Sequence, residues 1–177
     1  DGTLYAASLG GEVAGFCPNG VKRFNVLTGG TQSKPAVYNG DGHTRVYVGS
    51  NDRLLRAIDG ENGDILWTFA ASGPIQASPV IEDTPDDGDS AHVIYVADTN
   101  GIVYKLSHDG HPVAGFRFLD ANSSDANSSA IGPILASPAL VADQQRLYVA
   151  SVDGYLYAID TTTGVIAWRF YTMAAIH

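Results

Sequence analysis

Residues 146–159 decide the fold: Arg146-Leu147-Tyr148-Val149-Ala150-Ser151, then Val152-Asp153-Gly154, then Tyr155-Leu156-Tyr157-Ala158-Ile159. Both runs are rich in β-branched and aromatic residues, and an Asp-Gly turn joins them, which predicts a β-hairpin. The apolar residues fall on odd and even positions alike. A sheet with one wet face alternates, so these strands are expected to be covered on both faces. On either side the pattern continues. Leu135-Ala136-Ser137-Pro138-Ala139-Leu140-Val141 reads as a preceding strand, with Pro138 marking a sheet edge or a strand start because proline donates no ladder bond. Asp160-Thr161-Thr162-Thr163-Gly164 reads as a turn and Val165 to Phe170 as a fourth strand.

The unit recurs. Leu4-Tyr5-Ala6-Ala7-Ser8, Val46-Tyr47-Val48-Gly49-Ser50, Ile94-Tyr95-Val96-Ala97-Asp98 and Leu147-Tyr148-Val149-Ala150-Ser151 are four copies of one segment, followed in turn by Gly20, Gly63, Gly110 and Gly164. The period of about four to five dozen residues is that of a four-stranded propeller blade. Small sheets stacked radially bury both faces, which a two-sheet sandwich does not. The expectation is an all-β propeller of antiparallel four-stranded blades, about four of them, spanning roughly 1–27, 31–70, 75–119 and 132–171. Residues 172–177 begin a further strand. Copy one starts at its second strand and His177 corresponds to Gln76, so three arrangements fit. The chain is part of a larger, seven- or eight-bladed propeller, the reading preferred here; or it pairs with another copy; or it closes as four blades. Two insertions interrupt the period, Glu82 to Ser90 and the tandem Asp120-Ala121-Asn122-Ser123-Ser124 with Asp125-Ala126-Asn127-Ser128-Ser129, inside the connection 119–131.

Composition narrows the function. The chain has 177 residues, 45% hydrophobic, with 10 Lys+Arg against 19 Asp+Glu and a net charge of −9. That balance lacks the basic footprint of a nucleic-acid binder. No apolar run is long enough to span a bilayer as a helix. The single Cys17 excludes an intrachain disulfide framework and a multi-cysteine zinc site, and reads as a small apolar residue. Few lysines and many Ser, Asn, Gly and Asp suit an extracellular or periplasmic protein.

Two copies carry a longer match. Ala57-Ile58-Asp59-Gly60-Glu61-Asn62-Gly63-Asp64-Ile65-Leu66-Trp67 and Ala158-Ile159-Asp160-Thr161-Thr162-Thr163-Gly164-Val165-Ile166-Ala167-Trp168 share Ala-x-Asp-x-x-x-Gly-x-x-x-Trp. This resembles the tryptophan-docking motif of the PQQ-like, or quinoprotein dehydrogenase-like, β-propeller repeat. The resemblance implies that Trp67 and Trp168 pack between adjacent blades, supported by Gly63, Gly164, Asp59 and Asp160. Trp67→Ala and Trp168→Ala are then each expected to cost ~3–5 kcal/mol. Copies one and three have no tryptophan. Their Pro18-Asn19-Gly20 and His108-Asp109-Gly110 turns, and the Gly110 to Phe116 ending, are closer to FG-GAP/VCBS-type propeller repeats.

The chemistry-bearing residues are few. The loop Glu82-Asp83-Thr84-Pro85-Asp86-Asp87-Gly88-Asp89 offers Asp83, Asp86, Asp87 and Asp89 as hard oxygen ligands around a glycine, which fits calcium; the alternative is a solvated acidic turn. His108 and His111 sit near a turn and read as surface residues. Asn122 and Asn127 head Asn-x-Ser triplets, glycan acceptors in a eukaryotic secretory protein and polar loop in a bacterial one. No nucleophile motif and no paired acid and base stand out. The leading expectation is a non-enzymatic binding or scaffold module. It presents the insertions 82–90 and 119–131 to a protein or glycan partner, or joins the remaining blades of the same propeller. The alternatives are a fragment of a PQQ-dependent dehydrogenase acting on alcohol or sugar, for which this fragment holds no evident quinone site, and a calcium-stabilised adhesin-like propeller.

Overall fold

The computed structural model describes residues 2–40, 42–84, 92–116 and 131–176. They form four antiparallel sheets in chain order. Sheet I has β1 (Leu4–Ala7), β2 (Glu12–Phe16) and β3 (Lys22–Leu27). Sheet II has β4 (Ala36–Tyr38), β5 (Arg45–Gly49), β6 (Leu54–Asp59) and β7 (Ile65–Ala70). Sheet III has β8 (Val80–Asp83), β9 (His92–Ala97) and β10 (Val103–Ser107). Sheet IV has β11 (Ala139–Val141), β12 (Arg146–Ala150), β13 (Tyr155–Asp160) and β14 (Ile166–Tyr171), with a 3₁₀ turn at Ala142–Gln144 ahead of β12. Strands pair only with their neighbours in sequence, the meander expected of a blade. Of the last strand expected for the third blade, the described part up to Phe116 holds an isolated antiparallel bridge, Leu106 to Pro112, and 117–119 lie outside the described residues.

Proline fixes where each sheet begins. Pro35, Pro79 and Pro138 each stand one residue before the first strand of sheets II, III and IV. The strand read from the sequence as Leu135–Val141 is therefore only Ala139–Val141. The residues before the prolines tie the sheets together instead: the Lys34 N–H donates to Ser78 Oγ at 2.9 Å and the Ser78 N–H donates to Ser137 Oγ at 3.1 Å.

After β14 the chain repeats the path it takes after β7. The Thr172 N–H donates to Gly154 O and the Ile176 N–H to Ser151 O, as Ala71 does to Arg53 O and Ile75 to Ser50 O. Residues 172–176 thus lie where 71–75 lie relative to their own sheet. His177 is outside the described residues.

The core is three apolar layers between sheets. Val13, Phe24 and Val26 of sheet I meet Val46, Val48 and Ile58 of sheet II. Tyr47, Leu55 and Ala57 of sheet II meet Ile94, Val96, Tyr104 and Leu106 of sheet III. Tyr95, Ala97 and Val103 of sheet III, with Phe116, meet Leu147, Val149, Tyr157 and Ile159 of sheet IV. Strands apolar on both faces are thereby explained: each face of an inner sheet belongs to a different layer.

Candidate functional site

The alternation of strands gives each sheet two distinct faces. One carries the repeat tyrosine and looks toward the following sheet; we call it the leading face. The trailing face carries the residues on either side of that tyrosine and looks toward the preceding sheet. In sheet II the trailing residues are Val46, Val48, Arg56 and Ile58; in sheet III, Ile94, Val96, Tyr104 and Leu106; in sheet IV, Leu147, Val149, Tyr157 and Ile159.

The junction between sheets II and III shows how the faces join. Asp59 shapes the β6–β7 turn: its Oδ1 accepts the N–H groups of Glu61 at 2.7 Å and Asn62 at 3.3 Å, and its carbonyl accepts the Gly63 N–H at 2.9 Å. A bulge between Ala57 and Ile58 then sets Trp67 opposite Ala57, on the leading face. The indole N–H of Trp67 reaches across to His108 O at 2.9 Å. Its ring lies on Gly110, where a Cβ would come within 2.7 Å of the ring. Gly110 has a φ of +86°, so the turn needs glycine both for its backbone and for room.

Sheet I does the same with a phenylalanine. Phe24 follows Gly20 by four residues, as Trp67 follows Gly63, and a Cβ on Gly63 would come within 2.7 Å of its ring. The sequence reading missed Phe24 because it sought tryptophan; the spacing from the glycine was the available signal. Gly63 is thus the surface that receives Phe24 and also belongs to the turn that precedes Trp67.

Sheet IV repeats the turn of sheet II. Asp160 Oδ1 accepts the N–H groups of Thr162 at 3.1 Å and Thr163 at 2.9 Å, and Arg146 pairs with its Oδ2 at 2.8 Å. The backbone donor of Thr163 leads the effects that hold the Asp160 carboxyl below its usual range. Its carbonyl accepts the Gly164 N–H at 2.8 Å, and the bulge between Ala158 and Ile159 sets Trp168 opposite Ala158. Trp168 lies in β14, the last strand among the described residues. Its side chain is 46% exposed and meets Tyr148 at 5.7 Å between ring centroids. No sheet that follows β14 is among the described residues.

A second set of contacts crosses each junction. The backbone N–H groups of Gly29, Gly73 and Gly132 donate to carboxylates of the next sheet, Asp52 Oδ2 at 3.0 Å, Asp98 Oδ2 at 2.8 Å and Asp153 Oδ2 at 3.0 Å. Asp52 also pairs with Arg56 at 2.6 Å and accepts from Ser50. Burial alone would raise the Asp52 carboxyl, but Arg56, Ser50 and two backbone donors hold it well below the usual carboxylate range. Asp153 is depressed in the same sense, burial being outweighed by Tyr157 and by the N–H groups of Gly132 and Tyr155.

Other polar groups join strands within a sheet or cross a junction. Lys105 donates to Thr161 O at 2.9 Å, and Tyr95 donates to Glu82 at 2.6 Å; burial, followed by Glu82, pushes the Tyr95 hydroxyl up. His92 is buried, stacked on Tyr38 at 3.6 Å and bonded to the Tyr47 hydroxyl at 2.6 Å. Among the described residues there is no group of three or more metal-ligating side chains. Asp83 ends β8, while Asp86, Asp87 and Asp89 lie outside the described residues, as do Asn122 and Asn127. The His111 imidazole is exposed and lies 3.9 Å from Asp109 Oδ2, and the His108 ring lies 6.0 Å from that of His92 between centroids.

Among the described residues no helix is long and apolar enough to cross a membrane. A depression of about 280 Å³ on sheet I is lined by Ala6, Glu12, Ala14, Phe16 and Lys22 among others, that is, by its trailing face.

Solved structures share this architecture. BamB from Moraxella catarrhalis is 21% identical with a TM-score of 0.68, over 94% of this chain and 49% of its own. Sqt1 from Saccharomyces cerevisiae is 15% identical with a TM-score of 0.75, over 98% of this chain and 48% of its own. BBS1N, solved in complex with ARL6DN, is 14% identical with a TM-score of 0.68, over 96% and 49%. The chain spans about half the length of each. No curated protein matches it by sequence. The family model PQQ_2, described as outer membrane protein assembly factor BamB, matches residues 2–113 and 85–176. Those matches run over nearly the whole chain and include both Trp67 and Trp168, so the chain belongs to that family of PQQ-like propeller proteins.

Proposed function

We propose that this chain is a non-enzymatic propeller scaffold that binds a protein partner outside the cytoplasmic membrane. The observation that carries this reading is the family match from residue 2 to residue 176, to a family described by a role in outer membrane protein assembly. The chemistry agrees with it: Asp52, Asp98 and Asp153 bridge successive sheets and Asp59 and Asp160 shape turns within them, and such a stack is a rigid support for variable loops. The contact elements are the insertions at 82–90 and 119–131. Trp67 and its glycine partner act as structural locks that hold those loops in register, and Asp59 and Asp160 act through the turns they shape.

The test is photo-crosslinking in a bacterial envelope, with the reactive group placed in turn within 82–90, within 119–131 and on the outer strand β7. Protease-sensitive adducts to outer membrane assembly proteins from the two insertions, and not from β7, are the expected result. Adducts only to carbohydrate would replace the protein partner with a glycan. Dye-linked alcohol oxidation on addition of quinone and calcium would overturn the non-enzymatic reading.

A further inference from the structure

Asparagine precedes glycine at Asn19-Gly20, Asn39-Gly40, Asn62-Gly63 and Asn100-Gly101, and all of these asparagines are exposed. An Asn-Gly step is a place where a chain can modify itself. The glycine nitrogen, with no side chain crowding it, attacks the amide carbon of the preceding asparagine. The attack requires that nitrogen to be free of its hydrogen bond, because its lone pair becomes available only as the proton leaves.

The structure separates these sites. The Gly20 N–H donates to Cys17 O at 2.9 Å, the Gly63 N–H to Asp59 O at 2.9 Å and the Gly101 N–H to Asp98 O at 3.1 Å. These bonds close the turns β2–β3, β6–β7 and β9–β10, so they persist while the sheets are intact. Two of the leaving amides are held as well: Asn62 Nδ2 donates to Asp64 Oδ2 at 2.9 Å and Asn100 Nδ2 to Ser72 Oγ at 3.0 Å. Asn39-Gly40 follows β4 and differs on both counts. Among the described residues, neither the Gly40 N–H nor Asn39 Nδ2 has a hydrogen-bond partner. What is held at Asn39 is the oxygen, which accepts the Thr44 hydroxyl at 2.8 Å. A donor there faces the atom that takes up negative charge when the amide carbon is attacked. Asn19 and Asn62 have such donors too, in the N–H groups of Val21 and Asp64, so the free nitrogen is what sets Asn39 apart.

We infer that Asn39-Gly40 is a self-modification site, at which the folded chain converts Asn39 to isoaspartate. The Gly40 nitrogen gives its proton to water and bonds to Asn39 Cγ; the Cγ–Nδ2 bond breaks, and Nδ2 takes up a proton and leaves as ammonia. Water then opens the five-membered succinimide at either of its carbonyl carbons. One opening gives aspartate, and the other gives isoaspartate, whose main chain runs through the former side chain. Nothing is oxidised or reduced. Tyr38, the residue before Asn39, stacks on His92 of sheet III at 3.6 Å. Isoaspartate adds a carbon to the main chain and a carboxylate beside that contact, so conversion loosens the junction between sheets II and III.

The test is peptide mapping of the 177-residue chain after warming in mildly alkaline buffer, with fragmentation that tells isoaspartate from aspartate. In the folded chain Asn39 should convert roughly tenfold faster than Asn19, Asn62 or Asn100, the rate equivalent of first breaking one backbone hydrogen bond. In denaturant the rates should converge. Thr44→Val keeps the side-chain shape without the donor and should slow Asn39 alone several-fold, whereas Thr44→Ser should keep the rate. The converted chain should melt below the Asn39→Asp variant, which has the charge without the added carbon. Equal rates at these sites in the folded chain, faster loss at any of the others, or a folded chain that keeps Asn39 intact while the unfolded chain loses it overturns the inference. An unchanged rate in Thr44→Val removes Thr44 from the reaction, and a converted chain that melts with Asn39→Asp overturns the coupling to the junction. None of these outcomes bears on envelope cross-links from the insertions, so the two readings fail separately.

Discussion

Trp67 and Trp168 occupy the same position of the same repeat and live in different surroundings. Each follows a glycine by four residues, and each stands opposite an alanine just after a bulge. Trp67 is roofed by the third sheet and bonded to His108 O, whereas Trp168 is 46% exposed. The motif therefore specifies where the aromatic is placed, and the neighbouring sheet decides what it contributes. This gives the sharpest test. Trp67→Ala should destabilise the chain by ~3–5 kcal/mol, since it empties a filled junction and strips the His108 carbonyl of its donor. Trp168→Ala should cost about 1 kcal/mol or less, the range of a partly exposed site. Equal costs in parallel denaturant titrations would show that the exposure of Trp168 in this structure is not its state in solution.

The receiving turns refine the comparison from the other side. Gly110 and Gly20 share a positive φ, of +86° and +82°, so alanine at either meets the same left-handed penalty of ~1–2 kcal/mol. Only at Gly110 does the new Cβ also strike the Trp67 ring, and that ring is pinned by its N–H bond. Gly110→Ala should therefore be worse than Gly20→Ala by a further ~1–3 kcal/mol. If the two variants melt alike, the ring moves aside at no cost and the lock is not rigid.

The repeat made the sheets legible, because four copies of a short pattern fix strand order, turn positions and the need to cover both faces. Pro138 likewise marked a strand start, although the first strand of sheet IV is shorter than its apolar letters suggest, since Ser137 bonds between sheets. Phe24 escaped because the motif was sought as a tryptophan, while packing on a bare glycine requires only a flat ring. The carboxylate bridges escaped for a different reason. In sheets II and IV the carboxylate sits two residues after Ser50 and Ser151, whereas in sheet III Asp98 takes the serine position and Asn100 the other. The oxygen arrives at the same backbone N–H from a different residue, and alignment by letter loses it.

Those bridges give the smallest and most selective prediction. Asp52 is held by a guanidinium and Asp153 by a phenol, with a glycine N–H on each. Both carboxyls are depressed in the folded chain, so each contributes stability that is complete above the unfolded value near pH 4 and is lost as pH falls through the lower folded value. Asp52→Asn and Asp153→Asn should each cost about 1 kcal/mol at pH 7, and the gap to the unaltered chain should close on acidification toward pH 2. Salt separates them. The Asp52–Arg56 pair joins two charges at a partly open site and is screened, so its gap should narrow between low and high ionic strength. The Asp153–Tyr157 bond joins a charge to a neutral hydroxyl and should hold. A salt response of equal size at both sites would mean that the net charge of −9, and not the local pair, governs the acid limb of stability.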